Sequence, residues 1–209
     1  AIPQGMTGFD SSKTVFAQDM ALAEEELAKC AHDPGEHPLD VAFIAETPAR
    51  ERGALMMQAI YSTLGFKVEI TRTPWALLTE QVTAPATAPH VVEIAISAAS
   101  PDTDSLLHAM YHSSQPPTWM SSSYYANPEL DALLDQGRVE TDPDARQEIY
   151  AKANSILAND VPDIFAYELL SPFAVREGVI YHNLEDPART YPTSGFNMRF
   201  ADITVPEAE

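Results

Sequence analysis

Between Met20 and Tyr111 the chain alternates segments that read as helix and strand, and this order constrains the fold more than any other feature of the 209 residues. Asp19 can cap a helix over Met20 to Ala31, with Ala23, Leu27 and Cys30 at helical spacing. The HDPGEHP stretch breaks it, and Val41 to Ala45 reads as a strand. A helix from about Pro48 follows, with Met56, Ala59, Ile60 and Thr63 on one face until Gly65 ends it. Phe66, Val68 and Ile70 then alternate with Lys67, Glu69 and Thr71, the pattern of a half-buried strand. Thr73 and Pro74 read as the cap and first position of a short helix carrying Trp75, Leu77 and Leu78, and TAPATAP after it is a loop. Val91 to Ser97 (VVEIAIS) is apolar almost throughout, as suits a central strand buried on both faces, and Pro101 to Tyr111 reads as the next helix. The β-α-β-α-β-α order predicts an α/β fold, a mostly parallel sheet covered by helices, because right-handed crossovers return each helix to the sheet.

The second half is richer in helix. Asn127 and Pro128 start one, and Thr141 or Asp142 with Pro143 starts another, whose Ile149, Ala153, Ile156 and Leu157 share a face up to Val161 and Pro162. A strand over Asp163 to Leu169, a partner strand around Phe173 to Arg176 and a Pro-, Asn- and Asp-rich tail complete the prediction.

Composition narrows the function. A single domain of this length buries roughly 70% of its unfolded surface, so a core needs no disulfide or metal to hold it. No run approaches the roughly 20 apolar residues of a membrane span. Acidic residues outnumber basic ones 31 to 12, and a formal charge of −19 repels phosphate backbones and anionic lipid, which argues against nucleic-acid or membrane-surface binding. The same charge favours a monomer whose partner is a small molecule or a protein. Cys30 is the only cysteine, and its neighbours Leu27 and Ala28 predict a buried, inert thiol. The opening AIPQGMTGF reads like the middle of a longer chain rather than a natural start.

The common catalytic signatures, G-x-S-x-G, G-x-G-x-x-G, the P-loop and H-E-x-x-H, are absent, and no cofactor is expected. An enzyme would need a nucleophile beside a base, for example Ser122 near His112, and a pure interaction domain would need a broad exposed apolar patch. His108 and His112 stand four apart, a spacing that can place two imidazoles on one metal, but the sequence nearby offers no third ligand, so capping or packing is the simpler reading. Ser97, Ala98, Ala99 and Ser100 lie beyond the carboxyl end of the third strand, where ligands settle in open parallel sheets. Their small side chains let a ligand approach the backbone; the bland alternative is a tight turn with Asp102 or Asp104 capping the helix. Trp119, Ser121, Ser122 and Tyr124 combine flat apolar faces with adaptable hydroxyls, which suits a recognition surface or, equally, packing on the helix that follows.

Four stretches carry a likeness to a known family: IPQGMTGF, LGFKVEITRTPW, SYYANPELDALLDQGRVETDPDARQEIYAKANSIL and DVPDIFAY. Together they resemble the C-terminal lobe of the family 5 extracellular solute-binding proteins, the dipeptide-, oligopeptide- and nickel-type binding components of ABC importers. The resemblance runs from about Ala1 to Val179, and the third stretch is the most specific. It implies a periplasmic-binding-protein-like lobe spanning residues 1–209, with an entry segment over 1–18, a core over 19–179 and a tail over 180–209, within a larger two-lobed protein. It further implies a non-enzymatic periplasmic monomer that captures a small solute, a peptide or another polar metabolite, and hands it to an inner-membrane ABC permease. Candidate cleft residues are Trp75, the Ser97 to Ser100 loop, Trp119, Ser121, Ser122 and Tyr124. In peptide-binding relatives the loop after the third strand carries an aspartate for the peptide amino group. Ala99 stands at the matching position here, so a sugar or an opine-like compound fits the loop as well as a peptide does.

Overall fold

The computed structural model describes residues 1–10, 17–168, 174, 176–181 and 203–205. Backbone contacts divide the chain into two compact units, one of Thr14–Ile96 and Ser113–Tyr125, the other of Ala1–Lys13, Ser97–His112 and Ala126–Glu209.

The first is a strand unit. Its elements are α1 (Met20–Leu27), β1 (Leu39–Ile44), a 3-10 turn at Pro48–Arg50 running into α2 (Glu51–Thr63), β2 (Val68–Thr73), α3 (Trp75–Gln81) and β3 (Val91–Glu93). The three strands are parallel in the order β2-β1-β3, with Val41 opposite both Ile70 and Val91. Side-chain alternation along β1 sorts two cores. Val41 and Phe43 pack with Ala54 and Met57 of α2, while Ala42 packs with Leu78 and Val82 on the α3 side. Helices on opposite faces are what right-handed crossovers require here, because the chain steps from β1 to β2 in one direction and from β2 to β3 in the other.

Several expectations need correction. Among the described residues β3 is an edge strand only three residues long, and β1 holds the centre with Val41 and Ala42 at 0% exposure. Glu93 interrupts the apolar run. Its carboxylate sits 3.5 Å from Arg50 with both side chains nearly buried, and it fills the space where a Cβ on Gly53 would lie. On α2 Ala54 is buried and Met57, Gln58, Ile60 and Tyr61 are half-buried, whereas Met56, Ala59 and Thr63 of the expected face are exposed. Three of the four expected residues thus lie off the inner face, because the small Gly53 and Ala54, not the large Met56, let the helix approach the sheet. β2 begins and ends two residues later than expected and keeps its alternation from Val68 to Thr71. Cys30 is exposed rather than buried: α1 stops at Leu27 and buries no residue, so no core exists beside the thiol.

The second is a helical unit, built on α4 (Thr103–Tyr111), α5 (Pro128–Val139) and α6 (Pro143–Asp160). Asp102, Asn127 and Asp142 cap them, each side chain accepting from a backbone N–H of the first turn. Leu106, Leu107, Tyr111, Leu130, Leu134, Ile149, Tyr150, Ala153 and Leu157 form the core. Ile156, expected on the inward face of α6, is only half-buried, and Tyr150 and Asn154 are buried instead. The opening segment docks on α6: Ile2 and Met6 are buried, the Ile2 N–H donates to Asn154 Oδ1 at 3.2 Å and the Gly8 N–H donates to Gln147 Oε1 at 2.6 Å. Gly8 has φ +89°, and a Cβ there would meet the Tyr150 side chain and backbone. This explains the second glycine of IPQGMTGF.

Residues 163–168 form no strand; Asp163 instead accepts a 2.6 Å hydrogen bond from Tyr111 Oη, which ties the segment to α4. Leu169, and 173 and 175 of the expected partner strand, lie outside the described residues, as does most of the tail, although Ile180–Tyr181 pairs antiparallel with Ile203–Thr204 as β4 and β5.

Candidate binding surface

In the strand unit the carboxyl ends of β1 and β2 carry a polar and aromatic cluster. Ala45 N–H donates to Thr73 O at 2.8 Å, extending the ladder by one step, and the chain then delivers Glu46 to the start of α3. The Glu46 carboxylate accepts from the Trp75 N–H at 3.0 and 3.2 Å. A carboxylate there satisfies an orphan donor and opposes the positive helix end. Thr73, expected to cap this helix, is the last residue of β2 and makes no capping bond. The signal missed in the sequence is Glu46 itself, which reaches α3 only because β1 and β2 are adjacent.

Trp75 is held by this cap, and its ring meets Trp119 edge to face, centroids 5.3 Å apart at 69°. Both indoles rest on the buried Ala42, Leu78 and Val82. Two of the predicted residues, far apart in sequence, are thus in contact. Both rings are half-buried, so each keeps surface open to solvent.

The segment after Trp119 is partly self-satisfied. Ser121 Oγ donates to Pro116 O at 2.9 Å and accepts from the Thr118 N–H at 3.0 Å, so its hydroxyl shapes the turn. Ser122 is half-buried. Tyr124 donates its hydroxyl to Val82 O at 2.9 Å, and its backbone sits in the left-handed region at φ 52°, an uncommon conformation for a bulky residue. Such strain persists only where surroundings impose it and concentrates at binding sites.

The Ser97 to Ser100 loop belongs to the helical unit. Ala98 is buried, while Ser97, Ala99 and Ser100 are exposed. Ser100 is engaged locally: its carbonyl accepts from Ser105 Oγ at 2.9 Å and from the Asp102 N–H at 2.7 Å. The acidic residues behind the loop are also occupied. Asp102 caps α4 and accepts from Arg146 at 2.8 Å, and Asp104 accepts from Arg138 at 3.0 and 3.1 Å. Burial alone would raise the Asp102 carboxyl, but hydrogen bonds from Arg146 and the Asp104 N–H, with the Arg146 charge, hold it below the ordinary value. Arg146 also donates to Gly137 O at 2.9 Å and lies over the Tyr150 ring at 4.9 Å. Burial pushes the Tyr150 hydroxyl up to about 12, so it stays neutral.

A shallow groove of about 410 Å³ lies between α5 and α6, bordered by Leu133, Gln136, Lys152 and Ile156, all within the helical unit and none predicted as a site residue. His112, paired with Ser122 in the enzyme alternative, stacks on His108 at 4.3 Å and lies 3.4 Å from Asp135. Among the described residues no helix is long and apolar enough to cross a membrane.

No family model matches the chain. It is 25% identical over 170 residues, 80% of its length and 32% of the relative's, to the "Probable D,D-dipeptide-binding periplasmic protein DdpA" of Escherichia coli K12. In fold it is similar to the oligopeptide-binding protein of Thermus thermophilus complexed with a pentapeptide (TM-score 0.69, 19% identity, 87% of this chain and 35% of that one). It is also similar to the binding protein AgaA of A. tumefaciens R10 in complex with agropinic acid (TM-score 0.68, 22% identity, 78% and 33%). The likeness read from the four sequence stretches is thus present in a curated relative and in the fold of solved binding proteins. The chain spans about a third of the length of each.

Proposed function

We propose that the chain is one lobe of a periplasmic solute-binding protein that captures a small polar solute and delivers it to an ABC permease in the inner membrane, without chemistry on the solute. The observation that carries this reading is the similarity to a periplasmic binding protein over 80% of the chain, joined to an aromatic pair at the carboxyl ends of parallel strands. In the strand unit Trp75, Trp119, Ser121, Ser122 and Tyr124 are the proposed solute contacts, and in the helical unit the Ser97 to Ser100 loop is proposed separately. Trp75 and Trp119 would cover apolar parts of the solute, while hydroxyls and backbone N–H groups would fix its polar atoms, the usual division of labour in small-molecule pockets.

The solute's chemistry follows from the acidic residues. With alanine at position 99, and with Asp102 and Asp104 each paired to an arginine, a free ammonium group finds less compensation at this loop than in a peptide binder. A sugar or an opine-like solute suits the loop at least as well as a dipeptide. One matched structure holds a pentapeptide and another agropinic acid, so the fold accommodates both classes.

The test is a thermal-shift screen of peptides, opines and sugars on the full-length protein containing this lobe, with mass spectrometry of whatever copurifies. A saturable stabilisation by one class is the expected result. Turnover of the solute during the assay would refute the binding role and favour an enzyme.

A further inference from the structure

We propose that His108 and His112 of α4 together with Asp135 of α5 form a site for one divalent transition-metal ion of the zinc and nickel class. The ligand-bearing atoms of the three side chains lie within 4.8 Å of one another. A four- to six-coordinate ion with bonds of about 2.0–2.2 Å needs its donors roughly 3.0–3.5 Å apart, so small rotations about the side-chain torsions close the set.

The geometry comes from helix packing. Residues four apart on a helix lie one above the other, and the two imidazoles are stacked with centroids 4.3 Å apart and an interplanar angle of 18°. Stacking at this separation brings a nitrogen of each ring within 4.8 Å of the other, close enough for joint ligation. Asp135 is brought in from the neighbouring helix, its Oδ1 3.4 Å from His112 Nε2. Leu106, Leu107, Leu130 and Leu134, all buried, pack these helices and hold the backbone positions fixed.

Access and charge agree with a bound ion. His108 is buried and His112 nearly so, while Asp135 is two-thirds exposed, so an ion would enter past the carboxylate and keep positions for water. Arg138, one turn beyond Asp135, donates to Asp104 at 3.0 and 3.1 Å, which offsets part of its charge near the histidines. Two imidazoles and one carboxylate suit zinc or nickel and disfavour magnesium or calcium, which prefer all-oxygen sets. The site stands on helical-unit residues alone and does not rest on the solute reading.

The test is isothermal titration of the full chain with zinc chloride and nickel chloride, with magnesium as control. The exposed His32, Glu36 and His37 form a second potential cluster, so the titration is run on a His32→Ala/His37→Ala background. One equivalent of zinc or nickel is expected to bind and raise the melting temperature. Affinity should fall at least about tenfold in Asp135→Asn and in His112→Gln, with magnesium inert. Asp135 is exposed, so its variant folds whatever its ligand role. No binding on this background, or binding unchanged in both variants, overturns the site.

Discussion

Replacing Gly8 with alanine tests how the opening segment is seated on α6. Two costs are separable. At φ +89° an alanine pays about 1–2 kcal/mol for the left-handed backbone. The added Cβ would also overlap the Tyr150 side chain and lie 2.9 Å from the Tyr150 carbonyl carbon and from Ile2 Cδ1. Tyr150 is fully buried and cannot swing away, and overpacking of this kind costs a further ~1–3 kcal/mol. Gly5 is the internal control: its φ is +86°, but nothing lies within 4 Å of the position a Cβ would take there, so Gly5→Ala bears the backbone cost alone. Urea unfolding followed by far-ultraviolet circular dichroism should show Gly8→Ala less stable than Gly5→Ala by about 1–3 kcal/mol. Equal losses would refute the docking of IPQGMTGF against α6.

Burial raises the Asp163 carboxyl despite the hydrogen bond from Tyr111, so the folded state binds its proton more tightly than the unfolded chain does. Stability from this group is therefore full below the ordinary carboxylate range and is lost as pH rises through the folded value. Asp163→Asn keeps an acceptor for Tyr111 and should raise the melting temperature at pH 7, with the gain vanishing at acid pH; a gain independent of pH would contradict the burial argument. Glu46→Ala removes the acceptor at the start of α3 and should cost about 0.5–2 kcal/mol in a thermal melt, whereas an unchanged melt would show that the cap contributes nothing. Cys30, exposed beyond the end of α1, should react with a thiol reagent in the native protein nearly as fast as in urea, and protection would place it in a core after all.

The alternation of elements and most helix starts were legible because their signals are local. Asp19, Asn127-Pro128 and Asp142-Pro143 carry cap and first-turn chemistry within a few residues. What escaped depends on contacts between distant segments. VVEIAIS reads as a central strand until Glu93 meets Arg50, and the inner face of α2 is decided by how closely Gly53 and Ala54 approach the sheet. The carboxylate capping Trp75 comes from the loop after another strand, and Asp135 reaches the two histidines only through the packing of α4 on α5. At the candidate surface Trp75 and Trp119 are in contact, a proximity that no local signal in the sequence carries. Ser121 is less available than its residue type suggests, because its hydroxyl is already committed to Pro116.

The most direct measurement is a calorimetric titration of the solute found by thermal shift into full-length protein, wild type and Trp119→Ala. The indole rests on a buried cluster and keeps one side open, so its removal should weaken binding at least about tenfold while the melting temperature without solute changes far less. Full affinity in Trp119→Ala would contradict a solute seat at the strand-end aromatic pair.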